Sequence, residues 1–196
     1  MGAVSMSVIA YGDESVRRTG LREGVYLLGA YVLGDEDAGL IEALGRFARF
    51  QGKLHWKDHV DVVKRQVCSE ISRHAGAGLI VAATPLPSRG GEERARQQAL
   101  VTLALALEEG HGVRELVLER RERTQDANDV RTIDLARRSG VLPEDFTIRH
   151  EFGASEERLW IPDQIVGACG DHIIGWSTGW ADLASVVEIL YVDPRR

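Results

Sequence analysis

The stretch MSVIAYGDES, Met6 to Ser15, decides the fold. Its β-branched and aromatic residues read as a strand over Met6–Gly12, with the paired acids Asp13 and Glu14 at its end. Gly24 to Gly34 is a second run of the same kind, and the polar stretch between the two makes them a hairpin. Outward from there the period changes. Leu40, Ile41, Leu44, Phe47 and Ala48 follow helical spacing over Asp35–Phe50, and Val62, Val63, Val67 and Ile71 repeat it over His59–His74. Gly78–Thr84 is a compact apolar strand ended by Pro85 and Pro87. A helix over Glu92–Glu109 is stopped by Gly110, and Glu115–Glu119 is a short strand. Thr124–Ser139 is a helix closed by Gly140, and Phe146–Phe152 another strand. Pro162 fits the first position of a helix running to about Trp176, because its missing amide proton is not needed there. The tail Ala181–Val192 reads equally as strand or helix. Strands alternating with helices predict an α/β domain with a mixed sheet.

The 196 residues, 44% hydrophobic and 28% charged, suffice for one well-filled core, and no repeat or linker divides them. The longest apolar run, Leu100–Leu107, is broken by Thr102 and is far short of the roughly 20 residues of a membrane helix. Met1–Ala10 has no basic leader, so the expectation is a cytoplasmic protein. Cys68 and Cys169 are too few for a disulfide framework or a zinc cluster and read as reduced core thiols. A net charge of −6 argues against a protein that coats nucleic acid through many phosphate contacts. It leaves room for an enzyme acting on nucleic acid, because carboxylates loaded with divalent cations present positive charge to a phosphate.

Four acidic positions fall where elements meet: Asp13 and Glu14 after the first strand, Glu119 at the end of a later one, and Asp163 in the first turn of the last helix. Phosphoryl transfer assisted by two metal ions needs such a set of hard oxygen ligands. Each residue also has a plain structural reading. Asp13 beside Gly12 and Ser15 is ordinary turn chemistry. Glu14 should face away from Asp13, since neighbours in a strand point to opposite sides. Glu119 opens the charge run Glu-Arg-Arg-Glu-Arg, a typical solvated surface, and Asp163 suits the positive end of a helix dipole. Asp163, Gly167, Gly170 and Ile174 share one helical face. Glycines inside a helix cost about 1 kcal/mol each relative to alanine, an expense that close approach of the helix to a sheet would offset.

The segment Ile9-Ala-Tyr-Gly-Asp13-Glu14-Ser15 resembles the Asp-Glu-Ser-Gly strand-end motif of the predicted nucleases grouped as the domain of unknown function 3800 family. Gly52-Lys-Leu-His55-Trp56-Lys57-Asp58 is similar to that family's basic-aromatic motif, Leu116-Val-Leu-Glu119-Arg120 to its central strand end, and Leu159-Trp-Ile-Pro-Asp163-Gln-Ile-Val-Gly167-Ala168 to its late helix. The matches come in order and span about Met6 to Trp176. Val16 stands where the family has glycine, and Pro162 where it has alanine. The resemblance implies a ribonuclease-H-like mixed sheet flanked by helices, and metal-binding Asp13, Glu119 and Asp163 with Glu14 as a fourth acid.

The expectation that follows is a single ribonuclease-H-like domain over residues 1–196 with a helical insertion at about 36–75. It would hydrolyse a phosphodiester of DNA or RNA with water, using Mg2+ or Mn2+ held by Asp13, Glu119 and Asp163. His55 and Lys57 would shuttle a proton or contact phosphate, against the reading that Trp56 packs inward while they face water. Arg120 and Arg121 would steady the phosphate or pair with Glu119 and Glu122. Asp126 and Asp129 offer a further ligand or a solvated helix face. The alternative function is a non-catalytic module of the same fold, partner of a defence, toxin–antitoxin or mobile-element system; a small-molecule phosphoesterase would share the metal chemistry. Trp176 and Trp180 suit either a homodimer contact or core packing. No membrane partner is expected.

Overall fold

A computed structural model describes residues 8–34, 37–48, 53–87, 89–176 and 178–196. Six strands form one sheet in the order β5-β4-β1-β2-β3-β6. The hairpin is present: β1 (Val8–Arg17) pairs antiparallel with β2 (Gly24–Val32). β2 also runs antiparallel to β3 (Ala77–Leu86), while β4 (Val113–Glu119), β5 (Thr147–Glu151) and β6 (Val187–Val192) each join the sheet through parallel pairings. β2 is therefore the one strand of the six that runs against the rest. All nine of its residues are buried, which is why it reads as an unbroken apolar run rather than an alternating one.

Helices cover both faces. α3 (Glu92–His111) and α4 (Arg123–Arg138) pack on one, where Leu100, Leu103, Leu107 and Ile133 meet Ala10, Leu28, Val81 and Leu116. α1 (Ala38–Gly45), α2 (Asp61–Ile71), α5 (Trp160–Ile173) and α6 (Trp180–Leu183) pack on the other, around Leu27, Tyr31, Ile80 and Ala82. Because β5 and β6 lie on opposite edges, the chain between them must cross the whole sheet, and α5 makes that crossing beneath β1 and β2. At Gly29 an added Cβ would stand 2.5 Å from Val166 of α5, so the glycine lets the helix approach.

Several predicted boundaries move. β1 continues to Arg17, so Asp13 and Glu14 lie inside the strand; they follow Gly12, the last residue paired with β4. The chain does not turn at Val16, which pairs with Tyr26 and needs no glycine. β3 runs through Pro85 to Leu86. α5 starts at Trp160 after a 3-10 turn at Glu157–Leu159, which makes Pro162 its third residue, still in the first turn where no amide is required. The ambiguous tail holds both elements, α6 and then β6. The first helix is shorter than predicted; its expected ends at Asp35, Glu36, Arg49 and Phe50 fall outside the described residues, as do Met6 and Gly52. Trp180 is buried in the core and Trp176 is 64% exposed. Cys68 and Cys169 are buried free thiols, pushed up to about 12 by burial, and so inert as nucleophiles.

Candidate functional site

A cavity of about 370 Å3 opens where β1 and β4 part. Asp13 and Glu14 of β1, Glu119 and the two arginines after β4, Asp163 of α5, and Lys53, His55 and Lys57 of the loop that joins α1 to α2 and contains a 3-10 turn at Trp56–Asp58 all line it. Topology explains the meeting. β1 and β4 run parallel in adjacent positions and present their ends side by side, and α5 crosses under them with its first turn at that end.

Asp13 keeps some surface open to the cavity but is walled in by protein. That burial, then the charges of Asp163 and Glu119, pushes its carboxyl well above the ordinary carboxylate range. Three acids thus feel one another here. Each also has a protein partner. Asp13 Oδ1 accepts from the Glu14 amide at 2.7 Å. Lys53 donates to Glu119. Asp163 Oδ2 accepts from the Trp56 amide at 2.7 Å and from Gln164 at 3.0 Å, and His55 Nδ1 lies 3.6 Å from it, buried and without a hydrogen-bond partner. Lys53 is a site residue that the sequence reading passed over.

Glu14 turns to the other side of the strand, as alternation requires. Tyr26 and Arg96 both donate to its Oε2, and Arg121 Nε lies 3.8 Å from its Oε1. Arg96, 2% exposed, also forms a bidentate pair with Asp129 at 2.8 and 2.7 Å. Arg121 and His150 add their own bonds to Asp129 at 3.1 and 2.9 Å. This corrects the solvated-helix reading of Asp129, which is 1% exposed. Nor do Arg120 and Arg121 pair with Glu119 or Glu122. Arg120 donates to the His150 carbonyl and stacks 4.6 Å from the Phe152 ring centre. The clue to Arg96 was present: it falls on the buried stripe Arg96, Leu100, Leu103, Leu107, where a charge needs a partner.

Among the described residues, the three potential metal ligands whose donor atoms come within 4.8 Å of one another are Asp126, Asp129 and His150. Two guanidiniums already occupy Asp129 and hold its carboxyl far below the usual range, the bonds from Arg96 and His150 outweighing the effect of burial. A cation there would have to displace them. The set Asp13, Glu119 and Asp163 is looser, but it is all hard oxygen, lies on an open cavity and carries one carboxyl that burial, and then its acidic neighbours, disfavour as an anion. That donor set fits a divalent cation of the Mg2+ or Mn2+ type.

No protein-family model matches the chain, and no curated protein matches it. Solved structures do. The chain is similar to ribonuclease HII of Archaeoglobus fulgidus, solved in complex with PCNA, at TM-score 0.52 and 14% identity over 84% of this chain and 73% of that one. It is likewise similar to ribonuclease H2 of Pyrococcus horikoshii, at TM-score 0.54 and 12% identity over 91% of this chain and 81% of that one. At such identities the likeness shows the fold: a ribonuclease-H-like mixed sheet with flanking helices. No described helix is long and apolar enough to cross a membrane.

Proposed function

We propose that this chain hydrolyses phosphodiester bonds of nucleic acid with a divalent cation held by Asp13, Glu119 and Asp163, as a cytoplasmic single-domain member of the domain of unknown function 3800 group with α1 and α2 as its insertion. The observation that carries the reading is the convergence of these three carboxylates, from β1, β4 and α5, on one cavity. When bound, Mg2+ or Mn2+ would activate water and neutralise charge on the leaving oxygen.

The remaining work falls to the chain's own side chains. Lys53, Lys57 and Arg120 also line the cavity, so a chain of net charge −6 still presents cationic groups to a phosphate backbone there. Arg17, Arg96 and Arg121 line it too, but are paired with Asp171, Glu14 and Asp129. Lys57 and Arg120, which line the cavity, would hold non-bridging phosphate oxygens. His55, whose Nδ1 lies 3.6 Å from Asp163 without a hydrogen bond, would carry a proton to or from the reacting oxygens. Glu14 keeps Arg96 and Arg121 oriented at the cavity wall.

The test is cleavage of DNA, RNA and hybrid duplexes with Mn2+, by the wild-type chain and by Asp163→Asn. Cleavage by the wild type and its loss in a folded variant is the expected result; equal activity would remove Asp163 from the mechanism. A thermal melt with millimolar Mn2+ should show a rise in Tm. No shift and no cleavage would instead favour the non-catalytic module.

A further inference from the structure

We propose that Asp171 is a positioning residue, which sets the backbone amide of Trp56 on Asp163 and thereby orients both that carboxylate and the loop carrying Lys53, His55 and Lys57. Its link to catalysis rests on the function proposed above; its link to Trp56 does not.

Asp171 is 4% exposed and gathers donors from three separate segments. Trp56 Nε1 and Lys64 Nζ reach its Oδ2 at 2.9 and 3.0 Å, and Arg17 Nη2 reaches Oδ1 at 3.2 Å. The helix surface is cut to receive them. A Cβ at Gly167 would run into the Trp56 ring, and one at Gly170 would stand 2.7 Å from the Arg17 guanidinium. The glycines thus make room for a side chain from the loop and one from β1. Lys64 then closes over the outer face of the indole, 4.5 Å from its centre.

Trp56 is consequently held at both ends. Its indole is fixed at Asp171 and its amide at Asp163, eight residues and roughly 12 Å apart along α5. The ring lies in the groove between those points, so a change in its tilt must move the amide. The amide shares Oδ2 of Asp163 with Gln164 and makes the shorter of the two bonds, so its position helps to set how that carboxylate faces the cavity. Lys53, His55 and Lys57 ride on the same short segment, and a buried, charge-assisted anchor is the stronger way to fix it.

The experiment uses the full 15N-labelled chain with Asp171→Asn, which keeps the shape but removes the charge, and Trp56→Phe, which keeps a ring on Gly167 but removes the donor. Hydrogen exchange of the residue 56 amide should quicken about tenfold in both variants, with the amides of the central strand β2 unchanged. In Asp171→Asn the Trp56 indole N–H resonance should also shift. The dissociation constant for Mn2+, measured by calorimetry, should rise about tenfold in each. Unchanged exchange at residue 56, or a rise shared equally by β2, would overturn the proposal. Failure of the wild type to bind Mn2+ would count against the hydrolase reading alone, because the exchange comparison still decides the positioning role.

Discussion

β1 sends one acidic residue to each side of the sheet, and the two sides treat acids oppositely. On the Glu14 side Arg96 and Arg121 saturate Asp129, whose carboxyl is driven down. On the Asp13 side three acids share one lysine and one histidine, and burial with like charge drives Asp13 up. Clustering alone would favour the Asp129 side, where the tighter group of ligand atoms lies, over the side proposed above. Charge balance separates them: a satisfied ion lattice has no use for a cation, whereas an unbalanced set of carboxylates does.

Substitution on each side should break this contrast most sharply. Asp13→Asn and Glu119→Gln should each lower Mn2+-dependent cleavage about a thousandfold, the loss expected from several kcal/mol of charge stabilisation at about 1.4 kcal/mol per decade. Glu14→Gln should lower it far less, and kcat measured for the three variants decides between the two faces. Equal losses would mean that Glu14 belongs with the ligands.

Stability should show the reverse ranking. Arg96→Met takes the bidentate partner from Asp129 and leaves it Arg121 and His150, so the cost should lie toward the lower end of the roughly 3–5 kcal/mol of a broken buried pair. Urea midpoints measure it, and Asp13→Asn should cost nothing comparable. The pH dependence follows from the same pair. The folded carboxyl of Asp129 is held below its unfolded value, so its contribution is full above the unfolded value of about 3.9 and is lost as pH falls below it. The acid limb of a stability–pH curve should therefore flatten in Asp129→Asn, whose stability is lower at neutral pH; an unchanged limb would mean that Asp129 is not the group titrating.

How much of this was legible in the sequence depended on range. The hairpin, the alternation of strand and helix and the opposition of Asp13 to Glu14 follow from local periodicity, and the structure has them. The extension of β1 to Arg17 was not legible, because Ser15, Val16 and Arg17 become strand through pairing with Leu27, Tyr26 and Val25 rather than through their own pattern. The glycine spacing of α5 predicts close approach to the sheet, and Gly170 does receive Arg17 of β1; that Gly167 receives Trp56, more than a hundred residues away in the chain, is not legible from the spacing. Lys53 and Asp171 escaped for the same reason. Each acquires its meaning from a partner on another element, and no spacing along one segment announces that.

The smallest predicted effect sharpens the comparison furthest, because it has two opposite signs. Lys53 balances part of the charge on the Asp13 side by donating to Glu119, both side chains being about one-fifth exposed. Partly exposed pairs of this kind contribute at most about 1 kcal/mol. Lys53→Met should release Glu119 and tighten Mn2+ binding by up to about fivefold, read by calorimetry. The same change removes a cation from the mouth of the cavity, so the KM for a nucleic acid substrate should rise, and less so as salt is added. A lysine that only braced the loop would weaken both affinities together. Opposite movement of the two constants would identify Lys53 as the residue through which cation and phosphate compete for the charge of Glu119.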